Sequence, residues 1–381
     1  MTTDVLEVDG ISLLLKRPGG GRALRAWDAA DEQLLEQILA RFSPDSRPRV
    51  LIIDDQFGAL TLGLSSFAPV SFADSCSLSS ALITNTPSGH SVLTPSNWLA
   101  PPEGPFDLVV MRIPRQVDYL TCLLRWVNGV LVPDGTLIAG GMIKHLPDSS
   151  AAVFADLVHT REVCPARKKA RVIVAAPGDQ TLRNWADLWK GYMLPHTEYQ
   201  VSAMPAVFSR EKLDMGTRML LPFVRQEAGA LSSSARVLDL ACGNGVLGLA
   251  ALAENSELAV AFSDVSSQAV ASARDNVLSA FPDVEAVFHH SDGIPEDSGQ
   301  FELVLLNPPF HEGGVVGDHI ALRLFRQVAR HLAPGGRMLM VGNRHLGYHR
   351  SLRRFFSTVR QLDADARFVV FEASNQEAGR S

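Results

Sequence analysis

The chain has 381 residues, of which 46% are hydrophobic and 20% charged, and carries a net charge of −6. That length exceeds one hydrophobic core and fits two domains of roughly 180 residues, while the apolar content excludes a disordered or low-complexity protein. The acidic balance argues against a protein that coats nucleic acid. No apolar run of about eighteen residues and no basic-then-apolar leader occurs, and Cys76, Cys122, Cys164 and Cys242 are scattered without metal-ligand spacing. A cytoplasmic protein in a reducing compartment is expected, with no membrane partner, no metal and no disulfide framework.

Apolar strand segments alternate with helical ones throughout, which predicts an α/β fold with parallel sheets covered on both faces. Val50-Leu51-Ile52-Ile53 is a buried strand running into a turn, Asp54-Asp55-Gln56-Phe57-Gly58. Phe72-Ala73-Asp74 ends a second strand, and Phe106-Asp107-Leu108-Val109-Val110 leads through a third to Arg112-Ile113-Pro114. Arg167, Lys168, Lys169 and Arg171 then form a basic cluster, which is either a solvated face or a set of phosphate contacts. Pro195 to Pro205 reads as the domain connection, so domains of residues 1–190 and 191–381 are expected.

In the second half, Val237-Leu238-Asp239-Leu240 runs into a turn containing Gly243 and Gly245, with Gly248 completing a Gly-x-Gly-x-x-Gly spacing at the start of a helix. Such glycines let the backbone approach a ligand, and the helix N-terminus favours an anion. The spacing alone does not separate a dinucleotide-binding dehydrogenase from other nucleotide binders. Asp239 does: beside a pyrophosphate it repels, whereas beside the amino group of S-adenosylmethionine it attracts. The next strand ends at Asp264, about twenty residues on, where an acid binds ribose hydroxyls. A third strand, Ala286 to His290, leads to Asp292, placed to accept from an adenine amino group.

The strand Leu303-Val304-Leu305-Leu306 is followed by Asn307-Pro308-Pro309-Phe310. Proline removes N–H groups and fixes φ, so this turn holds the Asn307 side-chain carbonyl and the Pro308 backbone carbonyl stiffly as acceptors beside an aromatic face. Two aimed acceptors and a stacking surface suit a planar –NH2 conjugated to an unsaturated system. Later, Arg344, His345, His349, Arg350, Arg353 and Arg354 form a second basic group, and residues from Ala373 onward read as a polar tail.

The halves repeat each other at a separation of about 190 to 200 residues, as a tandem duplication leaves them. Val50 to Leu60 lies over Val237 to Leu247, Phe72 to Asp74 over Phe262 to Asp264, Phe106 to Val110 over Phe301 to Leu305, and Val127 to Gly135 over Val328 to Gly336. The first copy has Ile52 for Asp239, Gln56 for Gly243, and Arg112-Ile113-Pro114 for Asn307-Pro308-Pro309. It keeps the strands and loses the chemistry, which suits a docking domain better than an enzyme.

Together with Val207 to Leu221 and the early segment Leu24 to Leu35, these motifs resemble the bacterial ribosomal RNA guanine-N(2)-methyltransferases of the RsmC/RlmG family over nearly the whole chain. The early segment, Lys168 to Arg171 and Asn343 to Leu346 are similar to the RlmG branch, which acts on large-subunit rRNA. The resemblance implies two tandem class I (Rossmann-like) methyltransferase domains, the first degenerate, with S-adenosylmethionine held by Asp239, Gly243 and Gly245 at its methionine end, Asp264 at the ribose and Asp292 at the adenine. It makes Asn307, Pro308, Pro309 and Phe310 catalytic, with Asn307 also bordering the cofactor, and lays Phe208 to Thr217 over the pocket. It implies a guanine in 23S rRNA as target and contacts from Arg167, Lys168, Lys169, Arg171 and Arg344; the oligomeric state stays open, with a monomer favoured. The alternatives are 16S rRNA, a glutamine-amide or adenine-amine substrate, or an RNA-binding assembly factor without catalysis.

Overall fold

The computed structural model describes residues 5–18, 25–146, 149–309, 311–312, 315–316 and 319–375, with 311–312 and 315–316 described by their backbone alone. It divides into two compact units, Met1–Leu188 and Trp189–Ser381.

The first unit opens with a hairpin, β1 (Val5–Val8) and β2 (Ile11–Leu14), and helix α1 (Ala29–Arg41). Its sheet comprises β3 (Val50–Ile53), β4 (Val70–Phe72), β5 (Phe106–Arg112), β6 (Leu131–Met142), β7 (Val158–Val163) and β8 (Ala170–Pro177), in the spatial order β4-β3-β5-β6-β8-β7. Helices α2 (Ala59–Gly63), α3 (Ser77–Asn85), α4 (Val117–Val130) and α5 (Ser150–Leu157) lie between the strands in sequence.

The second unit opens with the hairpin β9 (Lys190–Met193) and β10 (Gln200–Ala203), then α6 (Met215–Ala230). Its sheet strands are β11 (Arg236–Leu240), β12 (Ala259–Asp264), β13 (Val287–His290), β14 (Phe301–Leu306), β17 (Leu332–Asn343), β18 (Thr358–Ala364) and β19 (Phe368–Ser374), with the pair β15 (His311–Glu312) and β16 (Val315–Val316) apart from it. The order is β13-β12-β11-β14-β17-β19-β18. Helices α7 (Val246–Glu254), α8 (Ser267–Ala280), α9 (His319–His331) and α10 (Tyr348–Leu352) complete it.

The two sheets follow one plan. In both, parallel strands end in two antiparallel ones, and the 12 residues of β6 and of β17 show the same sequence of buried and exposed positions. The first unit lacks a counterpart of β13 among the described residues; only a parallel bridge from Phe72 to Ser96 lies there.

Three expectations are corrected. The sheets are mixed and not purely parallel, because only Asp365, Ala366 and Arg367 separate β18 from β19, and a connection that short makes an antiparallel hairpin. Pro195 to Pro205 is not the domain connection. Val201 and Ala203 in that stretch are fully buried, and it supplies the turn and second strand of the β9–β10 hairpin within the second unit. Ala373 and Ser374 belong to β19, so the expected polar tail does not begin at Ala373; the residues beyond 375 lie outside the described chain.

Strand alternation places the site. Leu303 and Leu305 of β14 join the core that contains Leu220, Leu221 and Val224 of α6, while Val304 and Leu306 join the core with Leu324, Phe325 and Val328 of α9. With a period of two, Asn307 falls on the α6 side. Val237 shares that core, so Asp239 also faces it.

Candidate active site

Asp239 is 1% exposed, and its Oδ2 accepts the Gly248 N–H at 2.8 Å. Burial, helped by repulsion from Asp264, pushes its carboxyl up to about 8 against the lowering effect of the Gly248 bond. With one hydrogen bond among the described residues, this buried acid is a destabilised anion, which a neighbouring cation would favour. The following turn is shaped for close approach. Gly243 has φ +54°, and a Cβ there would meet nothing within 4 Å, so the turn presents bare backbone. Gly248 is glycine for packing: a Cβ would lie 2.3 Å from the Phe262 ring. Gly245 has φ +77° and caps α7.

Asp264 stiffens this turn. Its Oδ2 accepts the Gly243 N–H at 2.9 Å and its Oδ1 the Ser266 N–H at 2.9 Å. Asp292 is engaged by Arg323, which donates to its Oδ1 at 2.6 Å and to its carbonyl at 3.0 Å. Buried Ser263 donates to the Gly293 carbonyl at 2.6 Å and anchors that loop to β12.

At the end of β14, the Asn307 Nδ2 donates to Thr217 Oγ1 at 2.9 Å and lies 3.4 Å from Asp214 Oδ2. Asp214 is the N-cap of α6, accepting the Thr217 N–H at 2.9 Å, and Thr217 is 4% exposed. The Asn307 Oδ1 is buried and has no hydrogen-bond partner among the described residues. Buried acceptors are rarely left so, and this one is poised for a donor from outside the chain. Pro308 is buried and Pro309 exposed; Phe310 lies outside the described residues.

The hairpin supports the glycine turn from behind. Asn244 Nδ2 donates to the Tyr192 hydroxyl at 3.2 Å and to the Ser209 carbonyl at 3.4 Å, and Asn276 bridges the Asn244 and Ser202 carbonyls. Ser209 thus brings the Phe208 to Thr217 segment to that turn. None of Tyr192, Asn276, Arg323 or Ser263 was legible as a support, since each partner lies 20 or more residues away in sequence.

The first unit keeps the frame and reverses its chemistry. Asp54 and Ala241 occupy matching turn positions with φ of 56° and 54°, and Gly58 and Gly245 both cap the next helix. Arg112 stands where Asn307 does and is 8% exposed. Its guanidinium meets both Asp28 oxygens at 2.8 Å and Asp31 Oδ1 at 2.9 Å, where Asp28 is the N-cap and Asp31 the third residue of α1. Burial pushes the Asp31 carboxyl up to about 7 in spite of Arg112. Five donors fill the place that would need an acceptor, and Ile52 replaces the acid.

The basic residues divide. Arg167 pairs with Glu36, and Lys168 with Glu32 at 2.6 Å, both from α1. Lys169 and Arg171 are exposed. Arg344 follows β17, the neighbour of β14, and lines a surface notch of about 450 Å³ with Asn343, His345, Ala366 and Arg367. Among the described residues, no group of three or more His, Cys, Asp and Glu side chains could hold a metal, no disulfide joins the cysteines, and no helix is long and apolar enough to cross a membrane.

Residues 198–372 match the family described as Methyltransferase small domain, and residues 3–179 match the RLMG N-terminal domain. A ribosomal RNA large subunit methyltransferase G of Alcanivorax borkumensis is 38% identical over 363 residues, covering 91% of this chain and 90% of that protein. The chain belongs to the ribosomal RNA large subunit methyltransferase G family. Its relative of that name in Pseudomonas putida is 37% identical over 383 residues, covering 98% of this chain and 99% of that one. A solved structure, a T. thermophilus 16S rRNA N2 methyltransferase (RsmC) in complex with AdoMet and guanosine, matches with a TM-score of 0.76 over 98% of this chain and 97% of that one. At 23% identity that likeness establishes the shared fold, two Rossmann-like methyltransferase units in tandem.

Proposed function

We propose that this protein transfers the methyl group of S-adenosyl-L-methionine to the exocyclic 2-amino group of a guanine in large-subunit ribosomal RNA. The observation that carries this reading is Asn307, whose buried carbonyl oxygen is unpartnered among the described residues while its NH2 is tied back to Thr217. The relatives named for large-subunit rRNA support the substrate.

The residues fit the cofactor. Asp239 offers a buried carboxylate to its ammonium, the bare backbone at Gly243 admits its methionine end, and Asp264, bonded to the Gly243 N–H at the end of β12, is the acid for the ribose hydroxyls. Asp292 keeps a carboxylate oxygen beyond those Arg323 engages, for the adenine end. When bound, S-adenosyl-L-methionine supplies an electrophilic methyl group on sulfur.

The chain's own part is to make a poor nucleophile reactive. The guanine 2-amino lone pair is delocalised into the ring. Bonds from its two N–H groups to Asn307 Oδ1 and the Pro308 carbonyl favour a pyramidal nitrogen whose lone pair faces the methyl. As charge grows on nitrogen these bonds become charge-assisted, contributing about 1.5–3 kcal/mol, and more in the transition state than in the ground state. Orientation supplies roughly 7–11 kcal/mol more. The proton leaves to water, so no strong base is required. Phe310 keeps the role its type and position suggest, a stacking face that offsets part of the unstacking of a flipped base, a few kcal/mol.

The first unit, roughly residues 1–190, serves RNA docking, and the second, residues 191–381, catalysis. Lys169, Arg171 and Arg344 carry most of the phosphate contact, with Arg167 and Lys168 contributing once released from their glutamates; exposed pairs of that kind hold only about 0–1 kcal/mol. Linking both units in one chain raises the local substrate concentration at the site.

Methyl transfer from labelled cofactor into purified rRNAs, read by nucleoside mass spectrometry, tests the reading. The expected product is N2-methylguanosine in 23S RNA. Label in 16S RNA would reassign the subunit, label on adenine or on protein glutamine would overturn the guanine assignment, and absence of both transfer and cofactor binding would leave an RNA-binding factor.

A further inference from the structure

We infer that Thr217 and Asp214 are positioning residues that fix which way up the Asn307 amide sits, so that its oxygen and not its nitrogen meets the guanine amine. This rests on the reading of Asn307 as the amine clamp and goes further by naming what orients it.

An amide side chain has a donor end and an acceptor end of nearly equal size, and packing alone does not distinguish them. A clamp for an –NH2 group works only with the acceptor outward. With the nitrogen outward, donor would face donor. The structure supplies the distinction on the inner side. Thr217 Oγ1 accepts from Asn307 Nδ2 at 2.9 Å and itself points to Asp214 Oδ2 at 3.4 Å, and the same carboxylate oxygen lies 3.4 Å from Asn307 Nδ2. The chain of bonds runs from the amide NH2 to the hydroxyl to the carboxylate and ends on an acceptor that cannot donate. Asp214 Oδ2 also accepts the Thr217 N–H at 2.9 Å, which holds the carboxylate against the first turn of α6. A flipped Asn307 would set its oxygen against an anion and against a hydroxyl whose hydrogen is already drawn toward that anion. The outward Oδ1 is then left buried and unpartnered among the described residues.

The other unit provides an independent instance. Asp28 and Asp31 hold the same two helix positions, cap and third residue, in α1, and they grip Arg112 at the position of Asn307. Across the duplication this pair of positions receives donors from the strand end. Where the third residue is Asp, the donor is a charged guanidinium that fills the site. Where it is the neutral Thr217, the donor is half of an amide, and the other half is free to act.

The test uses the full-length protein. Thr217→Val removes the hydroxyl while keeping shape and the N–H that Asp214 caps. We expect about a tenfold fall in kcat, the population of the competent orientation lost with one net hydrogen bond, with unchanged cofactor affinity by calorimetry. Thr217→Ser should restore kcat to within about threefold. A second readout needs no turnover: inosine lacks the 2-amino group, so the preference of the wild type for guanosine over inosine in equilibrium titration should shrink in Thr217→Val, through weaker guanosine binding at constant inosine binding. Asp214→Asn, which still caps α6, repeats the test on the second partner and serves if the valine variant fails to fold. Asn307→Ala is measured alongside. If Asn307→Ala retains wild-type turnover, the clamp itself is wrong. If Asn307→Ala is impaired while Thr217→Val and Asp214→Asn match the wild type in kcat and in guanosine preference, the clamp stands and this positioning role is refuted.

Discussion

The isosteric substitution Asp239→Asn separates charge from shape at the cofactor site. The carboxyl sits 1% exposed with one hydrogen bond among the described residues, and burial raises it to about 8. In the empty site at pH 6 it is therefore protonated in all but about one molecule in a hundred, and binding an ammonium must first remove that proton. Each pH unit below 8 costs about 1.4 kcal/mol of affinity, a factor of ten. Above pH 8 the carboxylate is already formed, and removing one partner of a buried charge pair costs about 2–5 kcal/mol, thirtyfold or more. The ratio of dissociation constants, asparagine variant over wild type, should rise from near one at pH 6 to at least about thirty at pH 8.5. Titration of the ligand's own amino group cancels in that ratio. Calorimetry at pH 7 in two buffers of different ionisation enthalpy should also show close to one proton released by the wild type and none through residue 239 in the variant. A ratio that stays near one at pH 8.5, or wild-type binding with no proton release, would refute the assignment of Asp239 to the ammonium.

The same shift has a stability consequence with the opposite sign from a salt-bridged acid. Because the folded value lies above the unfolded 3.8, ionisation of Asp239 opposes folding, and the cofactor-free protein loses stability as pH rises from about 4 to 8 and levels off beyond. Asp239→Asn should melt higher than the wild type at pH 8 without cofactor, by a few kcal/mol, with the advantage fading toward pH 4; equal melting at pH 8 would contradict the buried acid. Asn307→Ala should bind cofactor normally and lose at least about a hundredfold in single-turnover rate, as for one bond made mainly in the transition state; an unchanged rate would remove it from the mechanism. Arg112→Met should destabilise the first unit by about 3–5 kcal/mol, since Asp28 and Asp31 are left without their counter-charge, and leave cofactor affinity untouched; wild-type melting would show that the cluster holds nothing. Lys169→Ala with Arg171→Ala should weaken rRNA binding and flatten its salt dependence more than Arg167→Ala with Lys168→Ala, whose charges already face Glu36 and Glu32; the reverse ranking would move the docking surface elsewhere.

The sequence by itself determined the features that short-range chemistry controls. Apolar runs such as Leu303 to Leu306 and Val50 to Ile53 are strands because they must be buried, and all eight of these residues are. Gly243 and Gly245 mark a turn because their positive φ disfavours other residues. The duplication was legible because strand patterns survive the loss of function, and it extends to the matching left-handed turn at Asp54 and Ala241. Only the tertiary structure decided what those features touch. Asn307 meets Thr217 and Asp214 from 90 and 93 residues away, and Arg112 meets Asp31 and Asp28 from 81 and 84. In the sequence Asp214-Met215-Gly216-Thr217 is legible only through the resemblance, as the end of the segment laid over the pocket, and its part as the cap of α6 comes from the structure. Its second task arises because strand alternation turns Asn307 toward α6 and because the cap carboxylate, fixed by its own helix, is left with acceptor capacity on the side that the sheet presents. Likewise the charges of Arg167 and Lys168 are evident in the sequence, but their neutralisation by α1 follows from packing that brings residues more than 130 positions apart into contact.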